Sequence, residues 1–302
     1  MIRLAVFGSP ISHSRSPEIH RSFACQCAME IDYRAIVANA ETFPRLLKEF
    51  AAEGGRGCNV TVPLKHEAWK LAQENSDSSR RARAANTLLF KTEKVWFADN
   101  TDGRGLVRDL VSNLDHQLSG SRVCIIGAGG AVAGILGDLL AQGPASIVIA
   151  NRTVERAKQL QEQFASLACK SVLAYRDVGK GREQGRGSFA RETNSSTAPH
   201  TNLQAIALQA LRTQDPFDLV INATSLGHDG SHPGLPLSIF HPESLCYDLN
   251  YGAVAEPLRK FCLETKIHYQ DGLGMLVEQA ALSFKLWTGT MPDTKPVLEQ
   301  LP

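Results

Sequence analysis

The chain has 302 residues, a length that accommodates about two domains, each with a core of its own. Hydrophobic residues make up 43% and charged residues 21% of it, which is typical of a globular protein and excludes a chain disordered throughout. The 32 basic side chains nearly balance 31 acidic ones, giving a formal net charge of +1. This removes the electrostatic argument for nucleic acid or an anionic membrane as the principal partner.

The seven cysteines are scattered and form no C-x-x-C pair. This argues against a metal site or a disulfide framework and favours a reducing compartment. The first residues lack the long apolar core of a signal peptide, and no apolar run approaches the roughly 18 residues of a membrane helix. We therefore expect a cytoplasmic protein without a metal, a monomer or homodimer, whose partners are small molecules and not nucleic acid or membrane.

In the first third of the chain, short apolar strands alternate with helix-period segments. Strands are predicted over residues 2–7, 32–38, 58–62 and 87–90, and helices over 17–29, 43–52 and 64–73. This alternation predicts an α/β domain with a mostly parallel sheet. A hinge-like stretch over 99–103 leads into a helix that runs to about Leu118.

A second α/β series begins at Ser121. Strands are predicted over residues 122–126, 146–150, 171–174, 219–222 and 245–248, and helices over 131–142, 154–165 and 202–212. Residues 176–200 hold four glycines, many charges and a Ser/Thr/Asn run, which predicts a long, mobile surface loop.

The final strong pattern is a helix over 272–289, where apolar residues recur every three to four positions. This helix is expected to return the chain to the first domain. The prediction is therefore two domains: residues 1–103 plus 273–302, and a Rossmann-like domain over 104–272.

A glycine-rich turn follows the first strand of the second series. The turn comprises Gly127, Ala128, Gly129, Gly130 and Ala131. Such a turn lets backbone N–H groups and the positive end of a helix meet a pyrophosphate. The third glycine of G-x-G-x-x-G is replaced by valine, so a tight turn without a ligand stays an alternative.

The next strand-to-helix junction strengthens the case for a dinucleotide. It contains Asn151, Arg152 and Thr153, with Arg156 one helical turn further on. The carboxylate that binds the ribose of NAD is missing there, whereas paired guanidiniums suit a 2′-phosphate. The sequence therefore favours NADP over NAD, although a solvated helix start is the alternative.

Polar side chains also cluster near the ends of the predicted strands of the first domain. Ser16 precedes a proline and fits a helix N-cap, which leaves the Ser14 hydroxyl without a structural explanation. Strand alternation places Asn59 and Thr61 on one face, and Lys65 falls in the first turn of the next helix.

Asn86 and Asp102 complete this polar set. Each residue alone has an ordinary structural explanation as a turn or cap residue. Together, hydroxyls and amides suit a polyol, and a lysine with a carboxylate suits proton transfer at a carbonyl.

These residues resemble the shikimate dehydrogenase family over nearly the whole chain. The resemblance rests on residues 8–17, 59–65, 86–87, 99–103, 127–131, 151–153, 222–225 and 271–275, in this order and spacing. It implies the reversible reduction of 3-dehydroshikimate to shikimate by NADPH. It also implies that Lys65 and Asp102 are the proton-transfer pair.

The resemblance assigns further residues to the two ligands. The substrate set is Ser14, Ser16, Asn59, Thr61, Lys65, Asn86, Asp102, Tyr251 and Gln279. The cofactor set is Asp77, Gly127, Ala128, Gly129, Gly130, Ala131, Asn151, Arg152, Thr153, Arg156, Leu249, Gly272 and Met275. The alternatives are a quinate/shikimate dehydrogenase that uses NAD and a non-catalytic protein that senses NADP.

Overall fold

The computed structural model describes residues 1–169, 200–227 and 230–301. Within these ranges the strands form two six-stranded sheets, each with helices on both faces. The predicted fold class, an α/β protein with a Rossmann-like second part and a C-terminal helix that returns to the first part, is confirmed. The predicted strand over 171–174 and the predicted loop over 176–200, except His200, lie outside the described residues.

The first sheet is mixed and has the order β2-β1-β3-β5-β6-β4. Strands β1 to β3 are parallel, whereas β5 runs antiparallel to β3 and β6. Its elements are β1 (Ile2–Gly8), α1 (Ser16–Gln26), β2 (Ile31–Val37), α2 (Phe43–Ala52), β3 (Gly55–Val60), α3 (Lys65–Leu71), β4 (Glu74–Asn75), α4 (Asp77–Ala82), β5 (Thr87–Phe90) and β6 (Trp96–Asp99). The short connection between β5 and β6 leaves room only for an antiparallel turn.

Side-chain alternation along β1 explains why both faces of this sheet are buried. Ala5 and Phe7 belong to a core with α2 and α3, whereas Leu4 and Val6 point to the opposite face, towards Trp287 of the last long helix.

A helix connects the two sheets. This helix, α5 (Asp102–Arg108), continues into a π-helical turn over Asp109–Asn113. The second series then comprises β7 (Arg122–Ile126), α6 (Gly130–Leu140), β8 (Ser146–Asn151), α7 (Val154–Ala168), β9 (Asn202–Ala207), β10 (Phe217–Asn222), β11 (Phe240–Asp248), α8 (Glu256–Thr265) and β12 (His268–Gln270). All pairs in the second sheet are parallel, in the order β12-β11-β10-β7-β8-β9, which is the Rossmann order.

The C-terminal part of the chain returns to the first sheet. Helix α9 (Leu273–Thr288) packs on α1 and α5, and α10 (Lys295–Gln300) packs beside it. The apolar stripe of α9 joins Ile19 and Phe23 of α1 in one core. The helix ends at Gly289 with φ +82°, as expected for a glycine C-cap.

The predicted helix over residues 202–212 is wrong. Residues 202–207 form β9, paired with β8, and only Leu208–Thr213 is helical, as a 3-10 helix. Leu203 and Ala205 pack into the core with α7, while Ile206 faces the other side of the sheet. This two-residue alternation is imposed by the parallel partner strand, which supplies the hydrogen bonds that a helix would otherwise provide.

The expected N-cap role of Ser16 is also wrong. The cap position of α1 is Arg15, without a side-chain cap hydrogen bond, and Ser16 is the first helical residue. Likewise Thr101 precedes α5, so Asp102 belongs to the helix and does not cap it. Both side chains are thus available for contacts other than helix capping.

We expect a Gly105→Ala substitution to destabilise the fold. A Cβ atom at Gly105 would lie 2.7 Å from Cβ of Gln279, so α5 and α9 would have to separate. Overpacking of this kind costs about 1–3 kcal/mol, measurable by urea unfolding. The control is Gly130→Ala, whose new Cβ meets nothing within 4 Å and should not lower stability. Equal stability of the two variants would contradict this packing.

Candidate active site

A cavity of about 950 Å³ lies between the two sheets. Strand ends and loops of the first sheet form one wall, and the end of β11 with the start of α9 forms the other. All nine residues of the predicted substrate set line it: Ser14, Ser16, Asn59, Thr61, Lys65, Asn86, Asp102, Tyr251 and Gln279. Three residues of the predicted cofactor set also line it: Leu249, Gly272 and Met275.

Lys65 and Asp102 meet in this cavity as an ion pair. Lys65 is the first residue of α3 and Asp102 the first residue of α5, so two helix starts bring the side chains together. The distance from Nζ to Oδ2 is 2.6 Å, and the side chains are 19% and 7% exposed. The partial positive charge of a helix N-terminus favours the carboxylate.

Asn86 fixes the other oxygen of Asp102. Its Nδ2 donates to Oδ1 of Asp102 at 2.8 Å and lies 3.0 Å from Oε1 of Gln279. Its own Oδ1 accepts the backbone N–H of Thr101 at 2.9 Å. Since a backbone N–H is only a donor, the orientation of the Asn86 amide is defined. Both oxygens of Asp102 therefore have a partner.

Hydroxyl groups supply much of the remaining polar lining. Ser14, Ser16, Thr61 and Tyr251 all face the cavity, and Oγ of Ser14 accepts the backbone N–H of Ser16 at 3.3 Å. Burial raises the pKa of Tyr251, an effect that Arg15 opposes, so this side chain is a neutral phenol. Hydroxyls both donate and accept, which suits a ligand with several hydroxyls.

The opposite wall is shaped by a close approach of backbone. A Cβ atom at Gly272 would lie 2.5 Å from the carbonyl oxygen of Leu249, and the Gly272 N–H donates to the carbonyl of Asn250 at 2.9 Å. Only glycine fits there without displacing the end of β11. Met275, in the first turn of α9, completes this wall.

The glycine-rich turn lies outside the cavity lining, where β7 meets α6. Gly127 has φ +118°, and its N–H donates to Ala150 at 2.8 Å. A Cβ atom on Gly129 or Gly130 would meet nothing within 4 Å. The turn therefore leaves open space at the start of α6, where a pyrophosphate can approach the backbone N–H groups of residues 127–131.

The next junction presents two exposed arginines. Arg152 and Arg156 stand at the start of α7, and neither forms an ion pair with any residue that the structure describes. Asn151 donates to the carbonyl of Thr153 at 2.9 Å and so shapes the turn. Unpaired guanidiniums beside an open glycine turn fit a phosphorylated dinucleotide.

Asp77 is not brought to the cavity. It begins α4, its side chain is 78% exposed, and it pairs with Arg80 at 2.8 Å. The hydrogen bond and charge of Arg80 lower the pKa of Asp77.

A further, partly buried carboxylate belongs to Asp138 of α6. A Cβ atom added at Gly103 of α5 would overlap this carboxylate. Burial raises the pKa of Asp138 to about 6, against the opposing charges of Arg104 and Arg81. Nothing in the local sequence marks this residue, because its surroundings come from three helices that are distant along the chain.

Comparison with known proteins agrees with this geometry. Three family models match: the shikimate dehydrogenase substrate binding domain at residues 6–88, shikimate/quinate 5-dehydrogenase at 109–178, and the shikimate 5′-dehydrogenase C-terminal domain at 272–301. A protein of Dechloromonas aromatica named shikimate dehydrogenase (NADP(+)) is 43% identical over 98% of this chain and 96% of its own length. The chain belongs to the shikimate dehydrogenase family.

Solved structures extend the likeness to the whole fold. An Ael1 enzyme from Pseudomonas putida is 36% identical, with a TM-score of 0.81 over 100% of this chain and 99% of its own. Shikimate 5-dehydrogenase from Thermus thermophilus, in complex with NADP(H) and shikimate, is 29% identical, with a TM-score of 0.76 over 99% and 98% of the two chains.

The described residues of this protein contain neither a membrane-spanning helix nor a metal-ligand group. None of its described helices is long and apolar enough to span a membrane. Its described residues also contain no group of histidine, cysteine, aspartate and glutamate side chains that could hold a metal ion.

Asp248, at the end of β11, carries a pH-dependent cost in stability. Its Oδ1 accepts from Nδ2 of Asn222 at 2.9 Å and from the N–H of Asn250 at 3.0 Å, but its buried Oδ2 has no partner among the described residues. Burial raises its pKa to about 6, although the hydrogen bonds from Asn250 and Asn222 oppose the shift. Above pH 6 the folded protein holds a poorly satisfied charge, and the stability rises as the pH falls through 6.

We therefore expect Asp248→Asn to stabilise the protein at pH 7.5 by about 1–3 kcal/mol, since the amide mimics the protonated acid. This gain should shrink towards pH 4, where the native carboxyl is protonated. Urea unfolding at several pH values measures the difference. Asp77→Asn is the control at an exposed site and should show no such gain. A difference for Asp248→Asn that is independent of pH would contradict the assignment.

Proposed function

We propose that this chain is an NADP-dependent shikimate dehydrogenase, which reversibly reduces 3-dehydroshikimate to shikimate with NADPH. The observation that carries the proposal is the Lys65–Asp102 pair, which faces a cavity lined with hydroxyls and amides between the two sheets. The domain that binds substrate comprises residues 1–103 and 273–302, and the domain that binds NADP comprises residues 104–272.

The substrate lies against the wall formed by the first sheet. Its hydroxyls and carboxylate meet the hydroxyls of Ser14, Ser16, Thr61 and Tyr251 and the amides of Asn86 and Gln279, all of which line the cavity. Asn59 supports this wall from behind, because its amide is already saturated by hydrogen bonds within the protein.

Lys65 and Asp102 handle the proton. When bound, NADPH would supply the hydride that reduces the carbonyl carbon of the substrate. Lys65 lies in the cavity as the proton donor to the oxygen that becomes a hydroxyl, and in the reverse direction it accepts that proton. Asp102 holds the ammonium at 2.6 Å and aligns it with the substrate oxygen. General acid–base help of this kind contributes about 10²–10⁴-fold in rate.

NADP lies along the second sheet. The backbone of Gly127, Ala128, Gly129, Gly130 and Ala131 holds the pyrophosphate at the start of α6. Arg152 and Arg156, with Asn151 and Thr153 shaping the turn, hold the 2′-phosphate. Leu249, Gly272 and Met275 border the nicotinamide in the cavity. The exposed carboxylate of Asp77 is the weakest member of this set, since it lies away from the cavity and pairs with Arg80.

The location that we propose is the cytoplasm. All seven cysteines fall within the described residues and none is paired, which supports a reducing compartment. We propose a monomer or homodimer that acts on small molecules.

The direct test of the function is the formation of reduced cofactor from shikimate and NADP by the purified protein, followed by absorbance. Quinate replaces shikimate, and NAD replaces NADP, in parallel reactions. We expect the highest kcat/KM with shikimate and NADP. No turnover with this pair, or faster turnover with quinate and NAD, would contradict the proposal.

Lys65→Ala should lower kcat at least about 100-fold with little change in KM, because it removes a group that acts in the transition state. Lys70→Ala is the control on the same helix and should keep normal kinetics, since Lys70 forms an exposed pair with Glu67. Circular dichroism verifies that both variants fold. A Lys65→Ala enzyme with near-normal kcat would refute the assignment.

The double variant Arg152→Gln plus Arg156→Gln should raise the KM for NADP at least about tenfold, since charge-assisted hydrogen bonds to the phosphate are lost. The KM for NAD, which lacks that phosphate, should stay unchanged. Lys158→Gln removes a charge from an exposed position further along α7 and serves as the control. Equal effects on NADP and NAD would show that these arginines do not contact the 2′-phosphate.

A further inference from the structure

A cluster of polar side chains lies buried behind the cavity wall that the first sheet forms. It consists of His20 of α1, Tyr33 of β2, Asn59 of β3, Thr87 of β5 and Ser283 of α9, each no more than 5% exposed. Of these, only Asn59 lines the cavity. We refer to these five residues as the buried polar cluster. Polar groups so deeply buried are costly unless they are fully hydrogen-bonded.

The amide of Asn59 has a single possible orientation in this cluster. Its Nδ2 donates to the backbone carbonyl of Asn86 at 3.1 Å, and a carbonyl can only accept. Its Oδ1 must therefore accept from the hydroxyl of Tyr33 at 2.7 Å and from Nε2 of His20 at 3.1 Å. Tyr33 and His20 are thus both donors to one oxygen.

This arrangement defines the protonation of His20. Its Nε2 carries the proton, and its Nδ1 is buried and has no partner among the described residues, which fits a bare nitrogen. The ring stacks on that of Tyr33, with centroids 4.4 Å apart and planes at 12°. Burial lowers the pKa of His20 to about 3, although the hydrogen bond to Asn59 opposes this. His20 is therefore a neutral donor at all physiological pH values.

The hydrogen bonds continue in one direction to the catalytic pair. Nδ2 of Asn59 donates to Oγ1 of Thr87 at 3.2 Å, and the Thr87 hydroxyl donates to Oδ1 of Asn86 at 2.9 Å. Nδ2 of Asn86 in turn donates to Oδ1 of Asp102 at 2.8 Å, whose other oxygen holds Lys65. The amides of Asn59 and Asn86 therefore have defined orientations along the path from Tyr33 to Lys65. The Thr87 hydroxyl between them also lies 2.7 Å from Oγ of Ser283, a contact in which either atom can donate.

Tyr33 can act as a donor because its hydroxyl keeps its proton. Burial raises the pKa of this phenol, so Tyr33 is neutral. The hydroxyl proton is directed to Oδ1 of Asn59, at 2.7 Å.

We propose that Tyr33 and His20 are positioning residues for substrate binding in this family member. They hold the Asn59 amide from behind and so keep this wall of the cavity, and the Asn86 amide beyond it, in one orientation. Neither residue lines the cavity, so neither touches substrate. The inference rests on the proposed function, because it concerns the wall that receives the ring hydroxyls of shikimate.

The first test is Tyr33→Phe, which keeps the ring, its volume and the stack on His20 and removes only the hydroxyl. We expect the KM for shikimate to rise about tenfold, since Oδ1 of the buried Asn59 amide loses one of its two donors. The KM for NADP and kcat should change less than about threefold. A merely structural role would reduce the amount of folded enzyme, which lowers the apparent kcat and leaves KM unchanged.

The second test compares two substitutions of His20. The amide of His20→Gln retains an N–H donor near Nε2, whereas His20→Leu removes it. We expect the shikimate KM of His20→Gln to lie closer to wild type than that of His20→Leu. Tyr269→Phe is the control, because among the described residues the Tyr269 hydroxyl donates to the carbonyl of Ala255 alone, in the second half of the chain. Its kinetics should match wild type.

A third measurement does not depend on activity. Nitrogen chemical shifts of histidine in the full-length protein should show His20 as the neutral Nε2–H form throughout pH 5–8. A protonated Nδ1, or titration in that range, would overturn the assigned hydrogen-bond directions.

The kinetic results distinguish a failure of the positioning role from a failure of the proposed dehydrogenase activity. If wild type oxidises shikimate with NADP but Tyr33→Phe and His20→Leu keep the wild-type KM, the positioning role is wrong and the function stands. If wild type does not oxidise shikimate at all, the proposed function fails first.

Discussion

The ion pair between Lys65 and Asp102 is the contact on which the chemistry of this protein depends. The two side chains come from helix starts 37 residues apart and meet at 2.6 Å in a cavity between the sheets. An ammonium and a carboxylate so close attract each other strongly, and this attraction restricts the geometry of both side chains. Asn86 restricts how the pair is oriented, because it holds the other oxygen of Asp102.

Helix α5 carries much of this constraint. It begins at Asp102, joins the two sheets, and packs on α6 of one and α9 of the other. Gly103 and Gly105 allow these close approaches, since a Cβ at either would overlap Asp138 or Gln279. The position of the Asp102 carboxylate therefore depends on how α5 packs on α6, the helix that starts at the glycine-rich turn. A shift between the sheets would move one member of the pair relative to the dinucleotide surface.

Hydrogen bonds within the protein fix the orientation of the two asparagine amides that border the cavity. Asn86 and Asn59 have their amide groups committed to partners within the protein, so neither can rotate without breaking a buried hydrogen bond. Their orientation depends on residues from α1, β2, β5 and α9. The hydroxyls of the wall face the cavity against this rigid background, which preorganises the site for a ring with hydroxyls at defined positions.

The sequence alone determined the alternation of strands and helices, the glycine-rich turn and the nature of the polar set, because these depend on local periodicity and residue type. It failed where the partner of a segment decides its structure. Residues 202–207 became a strand because β8 offers a parallel edge, and the short elements β4, α4, β12 and α10 carry too few residues for a periodic signal. The family resemblance supplied the candidate residues, but only the tertiary structure brought Lys65 to Asp102 and set Asp77 apart. It also revealed Tyr33, His20 and Asp138, since a buried hydrogen bond or a shifted pKa arises from neighbours in space, which the order of residues along the chain does not display.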